Sequence, residues 1–330
     1  MFTIQNNATP LMNINKDINN QENNAQNSSL LRETAGVAAG AGAGFCVSKT
    51  ANLALKPSIK NLKSFMDEFH KANSGVMLQE AERMAKEACL TQKGFMGIKI
   101  FDVSSEARVK QAAKTFLAET HQSFKNGSVI KKITWGSFCI FSKLSEFPYL
   151  LIGKIPNIKA KLQNAIIYGG YNPFSNNVIS GRTSSLLHEI GHAINKNKNI
   201  LTAMPGKLAI ASTVLLTPLA ILTAMFHKKE ENNDKTSENK SFVSKTKDFV
   251  KEHIGLTVAG LSLPLLAEES IASLRAVKSA KKSTLMTETV KKGHSKLLLM
   301  AFGAYVAGAA TLTAMAKTAV WVKHKVTGQN

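Results

Sequence analysis

The chain has 330 residues, room for one large domain or two ordinary ones, and its 44% apolar content excludes wholesale disorder. Lys and Arg number 42 against 22 Asp and Glu, a net charge of +20; with 7% aromatic residues and no basic–aromatic interleaving, that charge points to anionic lipid and away from nucleic acid. Three cysteines (Cys46, Cys89 and Cys139), odd in number and without a CxxC pair, exclude a disulfide scaffold and a cysteine-built zinc site, and read as buried thiols without chemistry.

Residues 1–33 hold nine Asn in the first thirty positions, show no apolar period and read as a disordered tail. The opening MFTIQNNATPLMNINK lacks the basic and apolar regions of a cleaved signal peptide. Residues 34–55 begin with the small, charge-free run TAGVAAGAGAGFCVS, which is either a glycine-zipper membrane anchor or a flexible, surface-packed segment. From Pro57 a helix is predicted through LKSFMDEFHKA, with apolar residues at Ile59, Leu62, Phe65, Met66 and Phe69. A second helix fits 76–89, and a third fits 105–124 with Ser104 or Ser105 as its cap. Strands are expected at 95–103 and 129–141. Residues 164–180 (NAIIYGGYNPFSNNVIS) read as an irregular or edge strand, because Gly169, Gly170 and Pro173 disfavour a central one.

The carboxyl-terminal part is more apolar. Residues 208–226 (LAIASTVLLTPLAILTAMF) carry no charge and would span about 28 Å as a helix, close to a bilayer core of about 30 Å. Pro218 is tolerated in such a helix. A polar linker follows, then a charge-free run at 254–267 that is short for a full span. Residues 297–316 form a third charge-free run, with Trp321 as an interface anchor. The soluble alternative is that these runs are buried core helices.

One motif carries chemistry. Residues 188–192 read His-Glu-Ile-Gly-His, and an HExxH segment on a helix sets His188 and His192 one turn apart on one face, close enough to share a Zn²⁺. Glu189 between them can act on a zinc-activated water as general base. Thr183, Ser184 and Ser185 offer N-caps for that helix. A catalytic zinc needs a third protein ligand, and no HxxGxxH extension follows His192. The ligand is sought farther on, in 264–276 (PLLAEESIASLRA), where Glu268 and Glu269 leave an apolar run. The plainer reading of those two residues is a solvated helix start, where carboxylates suit the positive end of the dipole.

HEIGHA, an apolar hairpin and then Glu-x-x-Ala-Ser-x-Arg-Ala together resemble the bacterial membrane-bound neutral zinc metallopeptidases. More distantly they are similar to HtpX-like heat-shock proteases and CAAX prenyl endopeptidases. Glu269, Ala272, Ser273, Arg275 and Ala276 fall on the acidic motif of the neutral group, and AFGAYVAGAATLTA (301–314) resembles its closing alanine-rich helix. Ser273 stands where HtpX-like proteins have Asp, and Ile271 where the neutral group often has Asp. The resemblance covers about residues 160–320 and implies Glu269 as third zinc ligand beside His188 and His192, with Glu189 as base and Glu268 as the alternative ligand. Tyr171 and Arg275 are candidate donors to a tetrahedral oxyanion, though both have a structural reading too. The edge strand before the motif would pair with substrate backbone.

The expected fold class is α+β, mainly helical: a gluzincin-type zinc protease domain with a small edge-stranded sheet, an inserted transmembrane hairpin and a C-terminal transmembrane helix. The segments are a tail at 1–33, the Ala/Gly-rich candidate anchor at 34–55 and a soluble domain at 56–207 that ends in the HExxH helix. A membrane hairpin at 208–267 follows, with a polar linker at 227–253, then a third-ligand helix at 268–296 and a transmembrane helix at 297–322. The expected function is a membrane-bound endopeptidase with one Zn²⁺ per chain, acting on polypeptide substrates and touching anionic lipid, in the inner membrane with its site toward the cytoplasm. Eleven basic residues on the site side against nine on the other tip the orientation that way. The alternatives are an inactive membrane scaffold that keeps the protease-like fold and a basic peripheral protein without zinc. His227, His253 and His294 lie at segment ends and read as solvated or interfacial.

Overall fold

The computed structural model describes residues 11–102, 104–125, 127, 129, 168–173, 175–226 and 241–328. Residues 130–141 of the strand expected at 129–141 and the linker residues 227–240 lie outside the described residues, as does Cys139. The described part is mainly helical with one small sheet, in agreement with the coarse fold class.

Helix α1 (Leu11–Glu87) replaces three separate expectations: the tail, the Ala/Gly segment and the two helices from Pro57 to Cys89. The described part of the expected tail, from Leu11, is helical, and at Arg32 and Glu33 the helix is tied to Val326 and Lys323. Pro57 is inside the helix rather than at its start, and the carbonyl it leaves without an N–H partner is that of Leu53, itself an exposed residue. The two helices expected on either side of residues 73–75 are continuous. Asn73 Nδ2 donates back to Phe69 O at 3.0 Å, and the space beside Gly75 is open. Along the second half of α1, Met66, Phe69, Met77, Ala81 and Met84 recur at helical spacing and are buried. They share one core with Leu186, Leu187 and Ile190, and with Ala276, Ala280, Leu297 and Leu298.

Strand β1 (Ile98–Ile100) is shorter than its sequence signal, and helix α2 (Glu106–Lys125) starts where the Ser105 Oγ accepts from Arg108 N at 3.4 Å. Strands β2 (Gly170–Asn172) and β3 (Asn177–Ser180) complete the sheet. The order is β1-β3-β2, so β3 is central and β2 is an edge. β1 runs parallel to β3 (Ile98 opposite Val178), whereas β2 is antiparallel to it (Tyr171 opposite Val178). Polar side chains of α2 brace the sheet: Asn177 Nδ2 donates to Glu119 Oε2 and Asn172 Nδ2 to Thr120 Oγ1, both at 2.8 Å.

After the motif helix α3 (Leu186–Lys198) come α4 (Ile200–Ala211), a π turn (Ser212–Leu216) and α5 (Thr217–Phe226), one helical limb from 200 to 226. The Thr217 N–H reaches back to Ser212 O, an i to i+5 bond. The extra residue lies just before Pro218, whose ring would collide with the i−4 carbonyl of a regular helix. Part of the expected linker is ordered as α6 (Phe242–Glu252), capped by Ser241. The second hairpin limb and the third-ligand segment are a single helix, α7 (Ile254–Lys282). The chain then turns at Ser283, whose Oγ accepts from Leu285 N and Met286 N, and enters α8 (Glu288–Thr327). Glu268 and Glu269 are therefore mid-helix rather than at a helix start. Among the described residues α7 and α8 are long and apolar enough to cross a membrane, while α4 and α5 are shorter apolar helices. Cys46 and Cys89 are exposed rather than buried.

Candidate metal centre

The motif helix has two faces with separate tasks. Leu186, Leu187, Ile190, Ala193 and Ile194 fill the core, which fixes the helix rotationally and turns His188, His192 and Asn195 toward α7. The serines before it do not cap it. The segment enters through a 3₁₀ turn (Thr183–Ser185), and the Ser185 hydroxyl donates to Tyr168 O. α1 holds that turn instead: Arg182 Nε donates to Asp67 Oδ1 at 2.7 Å and Thr183 N to His70 Nδ1 at 3.1 Å. Burial and the neighbouring Arg182 cation lower the His70 pKa, in keeping with its role as an acceptor.

Gly191 brings α7 close. A Cβ there would sit 2.6 Å from Ala272 O and 2.9 Å from Ala272 Cα, so only glycine permits the approach. One turn away the two helices exchange side chains. His188 Nε2 is 3.0 Å from Glu269 Oε2 and 3.0 Å from His192 Nε2, and His192 Nε2 is 3.5 Å from Glu269 Oε2. His188, His192 and Glu269 together could hold a metal ion, each offering one ligand atom. The three spacings match the edges of a tetrahedron around Zn²⁺, which are about 3.3 Å for bonds of about 2.0–2.1 Å.

The outer nitrogens of both imidazoles are also engaged. His188 Nδ1 meets Ser273 Oγ at 3.1 Å, and His192 Nδ1 meets Glu268 Oε1 at 2.9 Å. Glu268 Oε1 also accepts from Asn195 Nδ2 at 3.1 Å, and Arg275 Nε donates to Asn195 Oδ1 at 2.5 Å. Glu268, the alternative ligand, is thus the orienter of His192 rather than a member of the trio, and Arg275 steadies that orienter through Asn195. Burial alone would lower the His192 pKa. Its bonds to Glu268 and Glu269, with the charges of Glu269 and Glu189, instead raise it to about 10.

Glu189 is buried beside the trio, and its Oε2 accepts from the backbone N–H of Tyr171 at 2.7 Å, so the edge strand β2 lies against the candidate base. The Tyr171 hydroxyl is committed elsewhere, donating to Asn176 Oδ1 at 2.6 Å, with burial pushing its pKa up. The two oxyanion candidates therefore both have structural partners. Sequence reasoning missed three residues here. Asn195 lies one turn beyond His192, and Ser273 one turn beyond Glu269, so helical spacing was the available signal. Tyr305 of α8 lies near the Glu269 carboxylate, which no local spacing signals. His294 was expected at a solvated end but is fully buried beside Phe69, with neither ring nitrogen hydrogen-bonded.

No family model matches the chain, and no curated protein or solved structure matches it.

Proposed function

We propose that the chain is a membrane-bound, zinc-dependent endopeptidase of the gluzincin type. The observation that carries this reading is the convergence of His188 Nε2, His192 Nε2 and Glu269 Oε2 on one point, with Glu189 on the same wall. A zinc ion held there would polarise a peptide carbonyl and lower the pKa of a water to about 7. Glu189 takes the proton from the attacking water and delivers it to the leaving amide nitrogen. The substrate would add as a further strand beside β2, a mode of binding that selects little by sequence. Two helices of membrane-crossing length, the bent α4–α5 limb and the +20 charge support a multi-pass protein that meets anionic lipid. The basic residues flanking the site favour a cytoplasmic site and an inner-membrane location.

Metal content of the detergent-purified chain tests the centre. One zinc is expected per chain, lost in Glu269→Ala and kept in Glu189→Gln, and only the wild type should hydrolyse casein. Zinc without hydrolysis in the wild type would leave the inactive scaffold as the better reading. Absence of zinc after reconstitution would sink the metallopeptidase.

A further inference from the structure

The metal centre and the four longest apolar stretches can be placed on one common axis. Helices α1 and α8 run antiparallel in contact: Phe69 lies against Gly293, Gly44 against Met315 and Ala319, and Gly36 against Thr327. On that scale the Tyr305 level of α8 corresponds to about Lys56 of α1. Tyr305 lies near Glu269 of α7, and Glu268 lies against Gly206 of α4, so Lys56, Gly206, Glu268 and Tyr305 mark one level, that of the metal centre.

A second level lies at the other end. Glu33 pairs with the fully buried Lys323 at 2.9 Å, and Arg32 Nε donates to Val326 O at 3.2 Å. Ala224 of α5 lies near the His324 ring, and α7 begins at Ile254 in a cluster with Ala224 and Val320. From the first level to the second, the path is about 27 Å along α4–α5, 21 Å along α7, 28 Å along α8 and 35 Å along α1. These lengths bracket the roughly 30 Å of a bilayer core.

Between the levels the four segments carry two charged residues that are not at an end, Lys49 and Lys317. The Lys317 stem lies on Gly255, beside the start of α7, a position from which a long side chain extends toward the far level. The Lys49 ammonium lies over the Phe45 ring, a cation–π contact within the span. The outer faces are apolar and uncovered, with Leu53 69% and Leu263 62% exposed, and Trp321 lies near the far level. At the metal level the charge returns at Lys56, Lys60 and Lys207.

We propose that residues 33–56 of α1 cross the bilayer as the fourth wall of this bundle. The metal centre then lies at one membrane face and the start of α1 beyond the other. The hydropathy of the Ala/Gly segment does not require this; its seating on α8 does. Gly36, Gly40 and Gly44 bring the two backbones together, as small residues do between membrane helices. The inference rests on the membrane reading above, and its partner is the lipid bilayer itself.

The native thiols provide the test. Cys46 is exposed on α1 between the two levels, and Cys89 is exposed beyond α1 on the metal-centre side. In Cys139→Ser protein, right-side-out and inverted membrane vesicles are treated with a charged, membrane-impermeant maleimide. Cys89 should react from one side, and Cys46 at least tenfold more slowly from either side until the membrane is dissolved in denaturing detergent. With the native thiols replaced, Leu31→Cys should react from the side opposite Cys89. Labelling of Cys46 and Leu31→Cys from the same side as Cys89 would overturn the crossing while leaving the hairpin reading intact. Release of the whole chain by alkaline carbonate would instead overturn the membrane reading itself.

Discussion

Where α3 meets α7, a single glycine sets the distance, and a Cβ at Gly191 would run into the backbone of Ala272. Where α1 meets α8, the approach is shared among Gly36, Gly40 and Gly44, with Gly42 between them facing open space. The first contact sets three ligand atoms within a few ångströms of one another, so an error of a fraction of an ångström is felt as lost chemistry. The second joins two long surfaces, and its errors are felt as lost packing. The same residue type therefore supports precision in one place and adhesion in the other.

Substitutions should separate the two. The largest effect is expected for Glu189→Gln, which removes the base and leaves the ligands: peptide hydrolysis should fall by about 10²–10⁴-fold with zinc content unchanged. Gly191→Ala should move α7 away from α3, weakening zinc binding at least tenfold and lowering stability by about 1–3 kcal/mol, as read by metal competition and thermal unfolding. Glu268→Ala should weaken zinc binding by about 10–100-fold without abolishing it, because His192 loses its orienter but the trio survives. Complete loss of zinc in that variant, with retention in Glu269→Ala, would exchange the two roles.

Proton release offers a milder probe. His192 keeps its proton through the neutral range in the metal-free protein, its pKa being raised to about 10. Zinc requires the neutral imidazole, so binding near neutrality should release about one proton from His192, and affinity should climb with pH across that range. Calorimetry in buffers of different ionisation enthalpy measures this directly. The smallest effects belong to the α1–α8 contact. Gly40→Ala, whose Cβ would lie 2.3 Å from Ala319 O, should cost about 1–3 kcal/mol, whereas Gly42→Ala should gain about 0.5–1 kcal/mol from helix propensity.

The site was more legible than the fold around it. His188, Glu189 and His192 are fixed by local helical spacing, and Glu269 could be found because a resemblance singled it out. Tyr305 could not be found this way, since it meets the site only through the packing of α8 on α7. The continuity of helix α1 through the Asn-rich stretch was missed for the same reason. Asn-rich and Gly-rich stretches score poorly as isolated helices, but Arg32, Glu33 and the Gly36–Gly44 face gain partners on α8 that the local sequence does not reveal. Pro57 and Asn73 carry helix-end signals, which an exposed carbonyl and a side-chain bond to Phe69 O override.

The π turn at Ser212–Leu216 has a consequence for how this limb tolerates insertion and deletion. Such a turn is one surplus residue lodged in an α-helix, and it leaves the flanking turns on their own faces. Removing one residue from this stretch, together with Pro218→Ala, should yield an uninterrupted helix with Gly206 still facing Glu268 and Ala224 still facing His324. The same deletion one turn to either side would rotate half of the limb by about 100° and set its apolar stripe against the wrong neighbours.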